Sequence, residues 1–128
     1  MSYYFSKTLS SSFDEAVGRT IEALKKEGFG LLTDIDVQAT LKKKLGVDFR
    51  KYRILGACNP PYAHEALKKE DKIGTMLPCN VIVQEISPGE VEVAAIDPAA
   101  SMQAVANPEL ADVALVVRQK LKNVIADL

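Results

Sequence analysis

Two cysteines and one histidine are the residues of this chain best suited to chemistry. Cys58 stands directly before Asn59 and Pro60, a cap-type residue and a proline suited to a first helical position, so it reads as a strand end abutting a helix start. Unpaired amides and the helix dipole at such a point favour a thiolate if the sulfur faces them, which makes Cys58 a candidate nucleophile and Cys79 a candidate resolving partner. If neighbouring strands bring Cys58 and Cys79 together, the imidazole of His64 joins them, and soft sulfur with nitrogen donors suits zinc or copper. The spacing of Cys58, His64 and Cys79 matches no common zinc motif, and three side-chain ligands would leave the site open. A Cys58–His64 dyad meets a second objection: His64 lies well into the helical segment that follows. Asn59, Asn80 and Asp97 are candidate orienting groups, though Asn59 is accounted for as a helix cap and Asp97 as a turn former before Pro98. The competing default is that a free cysteine is a small buried apolar group and a lone helical histidine a surface or packing residue.

These residues also suggest a binding site. Met76, Met102 and Tyr62 with Asn80 offer mostly apolar walls and few polar groups, the usual make-up of a ligand cleft, although methionine fills ordinary cores as well. The leading functional reading is a small-ligand site in a homodimer where Cys58, Asn59 and Pro60 meet Leu77, Pro78, Cys79 and Asn80, with His64 and Met76 among its residues. The alternatives are a thiol- or sulfur-handling or metal-binding protein using Cys58 and Cys79, and an interaction module acting through the C-terminal helix. No two acids stand in a recognisable catalytic pair, and phosphate-cradling glycine motifs are absent, so whether there is any catalysis stays open and no cofactor is implied.

The elements that must position these groups can be read from periodicity. Tyr3 to Leu9 alternates as a half-buried strand interrupted by Lys7. Ser12 with Glu15 forms a capping box, and Phe13, Ala16, Val17, Ile21 and Leu24 recur at helical spacing until Gly28. Phe29 to Ile35 reads as a second strand, closed by Asp36 as the cap of a short helix around Val37 to Leu45 that Gly46 ends. Lys51 to Cys58 is a third strand, followed by a short helix through Ala66 and Leu67. A polar loop, Lys68 to Gly74, leads to two β-rich runs, Cys79 to Ile86 and Val91 to Ile96, joined by a turn over Ser87 to Glu90. Asn107, Pro108 and Glu109 open a last helix whose Leu110, Ala114, Val117, Leu121, Val124 and Leu128 make a full apolar face, fit to pack on a sheet or to form a self-associating seam. The expected fold class is α+β, a mainly antiparallel sheet with two main helices on one face, in the order β-α-β-β-β-β-α with short helical inserts.

Composition narrows the class further. The 128 residues are 48% hydrophobic and 26% charged with a net charge of -1, which suits one globular domain over residues 1–128 and points to no strongly charged partner. Basic residues cluster mildly at Lys42 to Lys44, Arg50, Lys51, Arg53, Lys68 and Lys69, but interspersed acids favour solvated helix faces over a nucleic-acid surface. No apolar run resembles a secretory signal or a membrane span, so the cytoplasm is expected, with both thiols reduced.

The blocks Gly56-Ala57-Cys58-Asn59-Pro60, Ala63 with Glu65-Ala66-Leu67, Ile73-Gly74, Leu77-Pro78-Cys79-Asn80-Val81 and Asp97-Pro98 resemble the family called domain of unknown function 302. The resemblance covers most of the chain. It implies a β-α-β(4)-α arrangement like that of TATA-binding-protein-like folds, often as a homodimer, and the element order above agrees with it independently. It implies no activity and no catalytic residue, and likeness to the TATA-binding fold carries no argument for binding DNA.

Overall fold

A computed structural model describes residues 2–128. Its elements are β1 (Tyr4–Ser10), α1 (Phe13–Lys26), β2 (Gly30–Asp36), α2 (Val37–Leu45), β3 (Tyr52–Cys58), α3 (Pro60–Lys69), β4 (Cys79–Ser87), β5 (Glu90–Ile96), α4 (Pro98–Ser101) and α5 (Ala111–Ala126). Short 3-10 segments run over Asp71–Met76 and Pro108–Leu110. The strands form one five-stranded sheet in the order β1-β5-β4-β3-β2, with every neighbouring pair antiparallel. The expected α+β class and the placing of two main helices on one face are both found.

This topology follows from local signals. Ser12 accepts a hydrogen bond from the Glu15 amide at 3.2 Å, so α1 starts where the capping box predicts. Helix α1 then crosses from one sheet edge to the other, because β1 and β2 are the two edge strands. Its buried side, Phe13, Ala16, Val17, Thr20, Ala23 and Leu24, meets the sheet, and the buried Thr20 hydroxyl donates to the Ala16 carbonyl at 2.7 Å. Alternation selects the helix-covered face of the sheet: Val81, Val83, Val91, Val93, Ala95 and Leu55 are fully buried, while Asn80, Ile82, Gln84, Glu92 and Ala94 point the other way. Each fully buried aliphatic side chain contributes about 1.5–3 kcal/mol, so this face holds the chain together.

The apolar face of α5 is spent on the same core. Leu110, just before the helix, and Ala114, Val117, Leu121 and Val124 on it are buried, as the reading of a face that packs on the sheet expects. Two differences in boundary have simple causes. Asn107 caps through its side-chain oxygen onto the Glu109 amide, but the first turn is 3-10 and the α-helix starts at Ala111. The segment read as a polar loop is partly a 3-10 turn, because Ile73 is buried against Ala66 and Leu110 and pulls the chain inward. Asp97 is more than a turn former: its carboxylate accepts from the Ala99 amide at 3.0 Å and pairs with Arg118 at 3.1 Å, tying the start of α4 to α5.

Candidate functional site

The start of β4 lies beside the end of β3, with Cys79 opposite Ala57 in register and Cys58 one step further on. There the two strands, α3 and α5 enclose a cavity of about 310 Å³. Ala57, Cys58, Pro78 and Cys79 form its floor. Asn59, Tyr62, Ala63, Ala66 and Leu67 come from α3 and its cap, Val113, Ala114 and Val117 from α5, and Phe29, Leu32, Gly74, Leu77, Pro98 and Met102 complete the wall. Helix α3 presents one face because positions three and four apart share a side.

The structure gathers some of the residues read from sequence and separates others. Cys58, Asn59, Pro78 and Cys79 share the cavity, as do Tyr62 and Met102. Pro60 and His64 are exposed on α3 and face elsewhere. Met76 and Asn80 line a smaller neighbouring recess of about 220 Å³, which shares Pro78, Cys79, Pro98 and Met102 with the cavity. Among the described residues no three His, Cys, Asp or Glu side chains converge to hold a metal ion, so the Cys58, His64 and Cys79 set is not assembled; the exposed turn of α3 carries His64 away from the thiols.

Asn59 stands at the cap position read for it, though its side chain is used elsewhere. It occupies the N-cap position of α3 but makes no side-chain bond to that helix. Its amide instead donates to the Glu27 carbonyl at 3.1 Å, tying the start of α3 to the end of α1. Gly28 lies against that amide with a positive φ of 86°, a conformation glycine adopts readily. Missed in sequence were Phe29, Leu32, Ala57, Val113 and Val117. Each fits its own element's apolar pattern, and only the tertiary fold shows that they surround a space.

Burial, and then the neighbouring Cys58, push the Cys79 thiol up from its ordinary value near 9 to about 11. Cys79 is therefore a neutral thiol near pH 7, a poor attacking group, which weighs against the resolving role. The linkage has a definite sign: between about pH 9 and 11 the unfolded chain loses the Cys79 proton while the folded chain keeps it, so stability falls as pH rises. Urea unfolding across that window should show an extra loss of roughly 2–3 kcal/mol relative to the Cys79→Ala variant. Parallel curves for the two proteins would mean that Cys79 is not held in the protonated state.

The fold is that of a one-sheet α+β protein with an apolar cavity at its strand ends. The chain belongs to the family described as domain of unknown function DUF302, which matches residues 5–128. It is similar to a solved structure, an uncharacterized conserved DUF302 protein from Bacillus stearothermophilus, at 27% identity and a TM-score of 0.90 over 99% of this chain and 98% of that one. No curated protein matches the chain. The family's activity is uncharacterised, so only the site itself can argue for a function.

Proposed function

We propose that this chain is a cytoplasmic single-domain protein that binds a small molecule in the cavity between β3, β4, α3 and α5, with Cys58, Asn59, Pro78 and Cys79 in its wall. The carrying observation is the cavity of about 310 Å³ beside those strand ends. The cavity opens to solvent at one side, where Leu32 and Leu67 are exposed, so an apolar group that fills it removes its wall from water. A cavity of this size is at the small end of ligand sites. Two free thiols suit a reducing compartment, and no helix among the described residues is long and apolar enough to cross a membrane. Nucleic acid stays outside this reading, because the chain carries a net charge of -1 and Arg53, Lys42 and Lys68 of the mild basic cluster pair with Asp34, Asp48 and Glu65.

The neutral fluorophore N-phenyl-1-naphthylamine tests the site. Its emission should rise saturably at one molecule per chain, and Ala63→Phe, which fills the cavity from α3, should weaken binding at least about tenfold with the helical signal intact. An unchanged titration in Ala63→Phe excludes this cavity as the site.

Self-association as a homodimer is a second reading, favoured by the sheet face opposite α1 and α5. There Tyr4, Tyr52, Ile82 and Ile96 line a shallow depression of about 360 Å³. Sedimentation of the same sample should give twice the chain mass, and a single-chain mass at micromolar protein discards this reading.

A further inference from the structure

We infer that the part of the ligand held in this cavity is uncharged hydrocarbon, and that it enters past Leu32, the bulged residue of β2. The inference rests on the small-molecule reading above and adds the chemistry of the ligand and its route.

No wall residue is a carboxylate, lysine, arginine or histidine. The one wall amide, Asn59, already donates to the Glu27 carbonyl, and among the described residues no buried side-chain nitrogen or oxygen lacks a partner. A carboxylate, ammonium or phosphate drawn inside would lose its water and find no counter-charge, only a tyrosine hydroxyl, two thiols and the Asn59 amide, a penalty of several kcal/mol. The buried Cys79 thiol, held protonated, supplies no charge either. A hydrocarbon body loses nothing polar on entry and gains burial against the apolar wall.

The route follows from the sheet. Leu31 pairs with Ala57 and Thr33 with Gly56, so Leu32 is an extra residue without a partner in the ladder. Such bulges redirect a side chain, and here Leu32 both lines the cavity and stays 64% exposed. Leu67 on α3 is the other large apolar wall residue left exposed, at 44%. A single exposed leucine is ordinary, but two from different elements at one cavity make an apolar rim.

The experiment is competition against bound N-phenyl-1-naphthylamine at neutral pH by three molecules sharing one skeleton: 2-naphthalenemethanol, 2-naphthoate and 2-naphthylmethylamine. The alcohol should displace the probe at a concentration at least about tenfold below either ion. Leu32→Asp should weaken probe binding by a similar factor, while Ile35→Asp, exposed on the same strand but outside the wall, should leave it unchanged. Equal competition by either ion overturns the uncharged class, and full binding by Leu32→Asp overturns the route. A probe that gives no saturable signal with the unaltered protein removes the small-molecule site itself, and this inference with it.

Discussion

Leu121→Ala should lower the free energy of unfolding by roughly 3–5 kcal/mol, and Leu121→Glu should leave no cooperative urea transition at all. Leu121 is 0% exposed and lies where α5 meets the core of α1, β1 and β5. Truncation leaves a cavity that packed neighbours refill only in part, hence the upper range for an aliphatic deletion. A glutamate there adds a buried charge with no cation beside it, and the combined loss is comparable with the whole stability of a small protein, about 5–15 kcal/mol. The contrast is Leu115→Glu on the same helix: Leu115 is exposed, so a change within about 0.5 kcal/mol is expected. Circular dichroism and urea unfolding of both variants decide the matter. A folded Leu121→Glu with altered subunit mass would restore the helix face as an interface and contradict its place in the core.

That contrast shows why the fold was legible and where it stopped being so. The α5 stripe is visible in sequence because helical spacing is a property of one segment, yet the same stripe serves a sheet or a partner helix equally well. What decides between them is the presence of a matching apolar face, and that face is assembled from α1, β1 and β5. The capping box at Ser12, the Asp36 cap and the Ser87 to Glu90 turn were also legible, since each is a local bargain between a side chain or turn residue and nearby backbone. The α2 cap is a further case: Gly46 takes a positive φ of 66° as a helix terminator does.

The site was half legible. Cys58 and Cys79 meet because β3 and β4 pair antiparallel, and the sequence could place each at a strand end but not fix the register. His64 was drawn in by closeness in sequence and α3 turned it out to solvent, while Met76, at the end of the 3-10 segment, reaches only the neighbouring recess. Asn59 was legible as the cap position from its residue type and the proline after it, but not the bond its amide makes to the distant Glu27 carbonyl. The cavity itself left no sequence signal, because a void is a relation among side chains that each look like ordinary core.

Gly56→Ala should cost roughly 2–3 kcal/mol in urea unfolding, although it adds a single methyl group. A Cβ built at Gly56 lies 2.1 Å from Thr33 Oγ1 and 2.8 Å from Pro78 Cγ, inside the closest approach real atoms allow. Thr33 can turn its hydroxyl away, but the Pro78 ring has no such freedom, so one obstruction is soft and the other stiff. Thr33→Ala in the Gly56→Ala background should therefore recover part of the loss, with a coupling of about 0.5 kcal/mol or more in the double-mutant cycle, and the remainder should belong to Pro78. Binding should suffer as well. Thr33 is the residue after the Leu32 bulge and Pro78 lines the cavity, so any shift that admits the methyl group displaces both the entrance and the floor. N-phenyl-1-naphthylamine affinity of Gly56→Ala, measured at a urea-free temperature where the chain is fully folded, should fall along with stability. A variant that unfolds within about 0.5 kcal/mol of the unaltered protein would mean that β2 and β4 do not close on Gly56 from both sides, and the bulge would lose the support that aims Leu32 at the cavity.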